Sequence, residues 1–169
     1  MTMNTRRNVI ATALLAAGMI MGHSNVGSAQ NEARVKLGME TWKSAGCPDC
    51  HGPFADGDKQ REDSPSGPNL RERTHHTAET LKTVIGCGRP GSDMPSFEDG
   101  AYTTRQCYGR DLGDAPGNMY PPPAKLTADQ IDAIATYLLA RVIGRGPISK
   151  KECLAYHDEE QKSLCNDIK

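Results

Sequence analysis

The stretch "AGCPDCHG" constrains the fold more than any other part of this chain of 169 residues. Cys47, Cys50 and His51 stand in the spacing C-x-x-C-H. Two thiols at this spacing can form thioethers with the two vinyl groups of one porphyrin, and the adjacent histidine then sits beneath the iron. Other uses of the motif fit less well. A redox C-x-x-C of the thioredoxin kind wants a strand before it and a helix after it. A zinc site wants a second pair at similar spacing, which is missing. The motif occurs once, so one covalently held haem c is expected.

The N-terminal stretch is read as separate from the fold. Arg6 and Arg7 begin it, Val9 to Met21 is an apolar run of 13 residues, and Gly27-Ser28-Ala29 supplies small residues for cleavage. That is the layout of a secretory signal peptide over 1–29. The competing reading is an uncleaved anchor, but the run falls short of the roughly 20 residues a spanning helix needs. The paired arginines hint weakly at twin-arginine export. No other segment is apolar enough to span a membrane. Cleavage near Ala29 would place the mature chain in the periplasm and remove two basic residues and no acidic ones, leaving a net charge of about −3. No basic stripe remains, which argues against nucleic acid. With two Phe and one Trp, and 17 Gly and 11 Pro in all, the core is thin for the length. Cross-links or a cofactor should help to hold it.

Helical signals account for what order the sequence shows. Thr127 and Gln130 make a capping box, and Ile131, Ile134, Ala135, Leu138, Leu139 and Val142 recur at helical spacing after it. Gly144, Gly146 and Pro147 stop that helix. A second helix is expected over Ala78 to Ile85, with Leu81, Val84 and Ile85 inward. Ser149 and Glu152 form another capping-box pattern, so a short helix should begin near Lys150. No strand alternation is present. "GCGRPGSDMPSFEDGAYTTRQCYG", Gly86 to Gly109, has four glycines before Cys107 and no apolar period, and reads as a loop.

These elements together resemble a class I cytochrome c. "KLGMETWKSAGCPDCHG" is similar to that family's first helix running into its haem motif, with Gly38 and Trp42 on the packing face. "SGPNL", Ser66 to Leu70, resembles its proline segment. "VIGCGRPGSDMPSF" resembles its axial-methionine loop, and "KLTADQIDAIATYLLARV" its last helix. The resemblance implies an all-α fold of a few helices around one haem, with a cytochrome c domain over 30–148 and an extension over 149–169. It implies that the Pro68 carbonyl accepts the second ring N–H of His51, setting its tautomer; the competing view is that Pro68 only turns the chain. Gly38 would let the first and last helices approach closely.

The sixth iron ligand stays open between candidates. Met94 follows flexible glycines and precedes Pro95, matching the family's ligand loop. Met119, in "GNMYPPPAKLT", is separated from Thr127 by seven residues and is a rival. His75 and His76 come next and read better as exposed loop residues; Met39 precedes the haem motif and is poorly placed.

Four further cysteines depart from a plain family member. Cys87 and Cys107 are expected to close the loop that carries Met94, removing on the order of 3 kcal/mol of unfolded-state freedom. Cys153 and Cys165 then remain. On one straight helix they would be about 18 Å apart, too far to bond, so the tail must bend back. The alternatives are one free thiol or a link between two molecules.

"GCGRPG", "CYG" and "GRGP…EC" carry a narrower resemblance, to small periplasmic cytochromes c linked to methanol metabolism. It implies a monomeric single-electron carrier, not an enzyme. Its donor would be a quinoprotein alcohol dehydrogenase using pyrroloquinoline quinone, and its acceptor a terminal oxidase or another cytochrome. The competing functions are a haem enzyme or gas sensor with an open distal site, and a haem subunit of a larger oxidoreductase. His75, His76 and His157 are the only acid/base candidates for an open site. No loop has the spacing of a calcium motif.

Overall fold

The computed structural model describes residues 26–117 and 119–168. Most of the expected signal peptide lies outside them; Gly27, Ser28 and Ala29 form the exposed first turn of helix α1. The described residues are helical and contain no strand. The elements are α1 (Val26–Ser44), α2 (Cys47–His51), α3 (Ala78–Cys87), α4 (Ala128–Arg141), α5 (Lys150–Tyr156) and a final 3-10 helix (Glu159–Cys165). Among the described residues no helix is long and apolar enough to cross a membrane.

Three helices start by the same local device. Thr77, Thr127 and Ser149 are extended N-caps whose hydroxyls accept the backbone N–H three residues on, and Thr80, Gln130 and Glu152 reach back to the cap. Each box satisfies two otherwise orphaned donors. The expected starts at Ala78, Ala128 and Lys150 therefore hold. Helix α3 runs two residues past Ile85, so Gly86 and Cys87 end a helix where a loop was expected. Leu139 is half-buried, while Ala133 and Tyr137 join the buried face of α4.

Helices α1 and α4 form the main packing pair. They cross where Gly38 faces Ala133 and Tyr137, and a Cβ on residue 38 would collide with the Ala133 carbonyl. The expected role of Gly38 thus has a direct steric cause. Arg34 fastens the outer edge of the crossing through Asp129 (2.9 Å) and Asp132 (2.7 Å). Val35, Trp42, Ile131, Ile134 and Leu138 fill the interface, and Leu81 and Ile85 of α3 complete the core.

Both predicted cross-links are present. Cys87 bonds Cys107 and Cys153 bonds Cys165, each with Cα atoms 5.7 Å apart. The first has its own small core, in which Tyr102 and the two half-cystines are buried and Ala101 and Met119 pack beside them. The Tyr102 hydroxyl donates to the Cys87 carbonyl (3.1 Å) and that of Tyr108 to the Gly88 carbonyl (2.6 Å). The second cross-link joins α5 to the final 3-10 helix, the bend that the spacing demanded.

The extension is docked by a buried charge. Arg71, 3% exposed, donates to Glu152 (2.8 Å) and to the carbonyl of Gly146 (2.5 Å). Burial would raise the Glu152 carboxyl, but its bonds from Arg71 and Ser149 outweigh this and hold it at about 2. Lys43 adds a bond to the Tyr156 carbonyl while lying over the Tyr156 ring.

Candidate metal centre

Three short features place the C-x-x-C-H residues. Helix α1 ends at Ser44, and Gly46 turns the chain in the left-handed region (φ 74°). Pro48, near the start of α2, suits a first helical turn because its missing N–H would be unpaired there anyway. Gly52 (φ 81°) ends the turn and bonds back to the Pro48 carbonyl (3.0 Å). Cys47, Cys50 and His51 thus share one helical turn, a local structure the sequence reading did not name.

The next segment wraps this turn and is tied to it through backbone. Gly57 N–H donates to the His51 carbonyl (2.8 Å) and Gly67 N–H to the Cys50 carbonyl (2.8 Å). These bonds bring Pro68 alongside His51, whose Nδ1 lies 3.1 Å from the Pro68 carbonyl. A carbonyl can only accept, so Nδ1 carries the proton and Nε2 keeps its lone pair. Burial lowers the His51 pKa and the Pro68 bond opposes this. The outcome is a neutral imidazole with a free ligating nitrogen. Gly67 is needed for the approach, because a Cβ there would lie 2.6 Å from Nδ1.

The three motif residues open onto a cavity of about 380 Å³, within the usual range for cofactor sites. Trp42, Leu70, Leu81, Val84, Ile85, Phe97, Ile134 and Leu138 give it a mostly apolar wall. Removal from water pushes the Cys47 thiol up to about 12 and raises Cys50 as well. Neither is in a disulfide. Trp42 is buried, its ring 5.8 Å from that of His51, and its indole N–H has no partner among the described residues.

Met94 stands in the wall of this same cavity. Its carbonyl accepts from Arg89 N–H (3.1 Å), and Phe97 and Glu98 bond back to the carbonyls of Ile85 and Gly86 (both 3.1 Å). The loop is therefore closed on itself at the methionine and laced to the end of α3 just after it. Gly88 (φ 70°) permits this, since a Cβ there would meet the Met94 carbonyl at 2.8 Å. Met119 is elsewhere. It packs on the Cys87–Cys107 cluster beside Gly88 and does not line the cavity. Met39 faces a different cavity.

His75 is exposed, as expected, but His76 is half-buried and lines the cavity, as do Arg73 and Arg89. Nothing in the sequence distinguished His76 from its neighbour; only the path into α3 does. His157 lies with the second disulfide and meets the Phe54 and Tyr156 rings edge-to-face.

The residues present suit a covalently attached haem. They offer two thiols and a neutral imidazole on one turn, an apolar chamber, and a thioether sulfur in its wall. A family model for cytochrome c matches residues 35–141. Searches of curated proteins and of solved structures returned no match.

Proposed function

The chain belongs to the cytochrome c family, whose members bind haem c covalently, and we propose that it is a periplasmic one-electron carrier with His51 and Met94 as axial ligands. Haem c, when bound, supplies one electron at a time through its iron. Every other requirement falls on the chain. Cys47 and Cys50 would hold the group as thioethers. The Pro68 carbonyl fixes the His51 ring so that Nε2 can ligate. The apolar wall excludes water and favours the less charged iron state. The observation that carries this reading is that Met94 shares one cavity with His51 while Met119 does not.

The finer assignments extend the same proposal. Residues 1–29 would be removed on export, 30–148 would carry the haem, and 149–169 would be an accessory segment. A quinoprotein alcohol dehydrogenase is the donor we favour, on the "GCGRPG", "CYG" and "GRGP…EC" segments; a terminal oxidase or another cytochrome would accept. His76 in the cavity wall favours one second reading, an iron site open to small ligands with an acid/base group beside it.

The test is the far-red sulfur-to-iron charge-transfer band of the oxidised protein. We expect the wild type to show it, Met94→Ala to lose it, and Met119→Leu to keep it. A band that survives Met94→Ala would move the ligand elsewhere. A wild type that lacks the band and is high-spin would favour the open site.

A further inference from the structure

We propose that His76 binds a proton when the haem is reduced and releases it when the haem is oxidised, so that the electron affinity of the carrier follows pH. The inference rests on the carrier reading and on haem filling the cavity beside His51, but not on which group is the sixth ligand. His76 is half-buried and lines that cavity from the segment leading into α3. It precedes Thr77, the N-cap whose box fixes the start of α3. Its backbone is thus held by a defined helix end.

The wall around His76 carries few charges. Among the described residues, α1 and α4 contribute only Trp42, Ile134 and Leu138 to it. The charged groups are Arg73, Arg89 and Asp93, all exposed. Cys47 and Cys50 no longer titrate once they are thioethers, and His51 Nδ1 is committed to the Pro68 carbonyl. Nearby in the chain, His75 is exposed, and Glu79 of α3 pairs with Lys82 (3.4 Å). The side chains of Arg73, His76 and Arg89 have no hydrogen-bond or ion-pair partner among the described residues. Three unpaired basic groups on one apolar chamber suit the two carboxylates that a haem brings into it. Of the three, only the imidazole can change charge near neutral pH.

Reduction adds one electron to the iron and so removes one unit of positive charge from the chamber. The electron comes from the donor protein and the proton from water. A proton on His76 is then repelled less. Arg73, Arg89 and the N-terminal end of α3 disfavour that proton, while Asp93 and the haem carboxylates favour it. The half-buried position keeps the coupling modest, about threefold in proton affinity. Linkage makes it reciprocal, so protonation strengthens electron binding by the same factor. For a one-electron couple that is about 28 mV, at about 59 mV per tenfold change. The midpoint potential should therefore fall as pH rises through the range where histidine titrates, and level off on either side.

The test is the midpoint potential of the haem-loaded protein, measured by spectroelectrochemical titration between about pH 5 and pH 8. We expect the wild type to lose about 28 mV across this range. His76→Gln should abolish the fall, and His75→Gln, an exposed change beside it, should keep it. The haem bands show in each sample that the group is attached, and the sulfur-to-iron band that the sixth ligand is in place, so a failure of the carrier reading appears separately. A flat wild-type profile would overturn the proposal. So would a fall that persists in His76→Gln, since a haem carboxylate would then be the titrating group. Should that variant bind haem poorly, the ring protons of His76 in the wild type give the same answer by NMR. Their titration should differ about threefold in proton affinity between the ferrous and ferric protein, and equal midpoints would sink the idea.

Discussion

The two sides of the metal-site cavity are built by different means. On the His51 side, the ligand candidate sits on a helical turn and is held by backbone bonds from residues within twenty positions of it. On the Met94 side, the candidate sits in an excursion of some forty residues between α3 and α4, held by a disulfide, glycine conformations and two tyrosine hydroxyls. The first arrangement is short-range and needs no covalent help. The second spans a longer chain, whose closure entropy must be met by something, and the cross-link meets it.

Substitutions can separate the two sides. The largest effect should come from Gly67→Val. Its side chain would drive into the His51 ring and push Pro68 away, costing about 3 kcal/mol; the band and the helix signal should then melt together at a lowered temperature. If stability is unchanged, the close approach of Gly67 is not what fixes the imidazole. Replacing Cys87 and Cys107 by serine comes next. The loss should be about 3 kcal/mol or less, but unlike Gly67→Val it should make the band melt before the helices. Coincident melting would show that the Met94 side does not depend on its cross-link.

The smallest effect serves as a control remote from both sides. Glu152 is held at about 2, below an ordinary carboxylate. Its contribution is present above the unfolded value near 4.5 and is lost as pH falls towards about 2. Glu152→Gln should therefore lower the melting temperature at neutral pH, by about 2 kcal/mol in stability, because buried Arg71 loses its counter-ion. The gap from wild type should close on acidification. A gap that persists at low pH would detach the effect from the charge pair.

The unequal construction also explains what could be read in advance. The capping boxes at Thr127 and Ser149 are local patterns, and each starts a helix where its residues said it would, whereas α4 ends at Arg141, ahead of the stop expected from Gly144. The pairing of Cys153 with Cys165 was accessible by elimination once Cys87 and Cys107 were paired, and helix geometry then required the tail to bend. The sequence favoured Met94 over Met119 through its likeness to the family's ligand loop, but not where either side chain packs. Both stand near proline and glycine, and nothing local shows that Met119 packs onto Tyr102 and the half-cystines, outside the cavity. The place of His76 in the cavity wall was equally hidden, because it arises from contacts between segments far apart in sequence. The end of α3 was missed for a related reason: Gly86 and Cys87 lower helix propensity, yet burial and the bonds from Phe97 and Glu98 keep the helix going.

The bond between Cys87 and Cys107 makes a closed ring of backbone that contains Met94 and leaves Gly109 to Pro116 outside it. That outer stretch is exposed almost throughout, with Leu112 turned to solvent. Such segments are where proteases cut. A single nick there would sever the covalent path from α3 to α4 but leave the ring whole. The molecule could thus be clipped at its most accessible loop and keep its sulfur facing the same chamber.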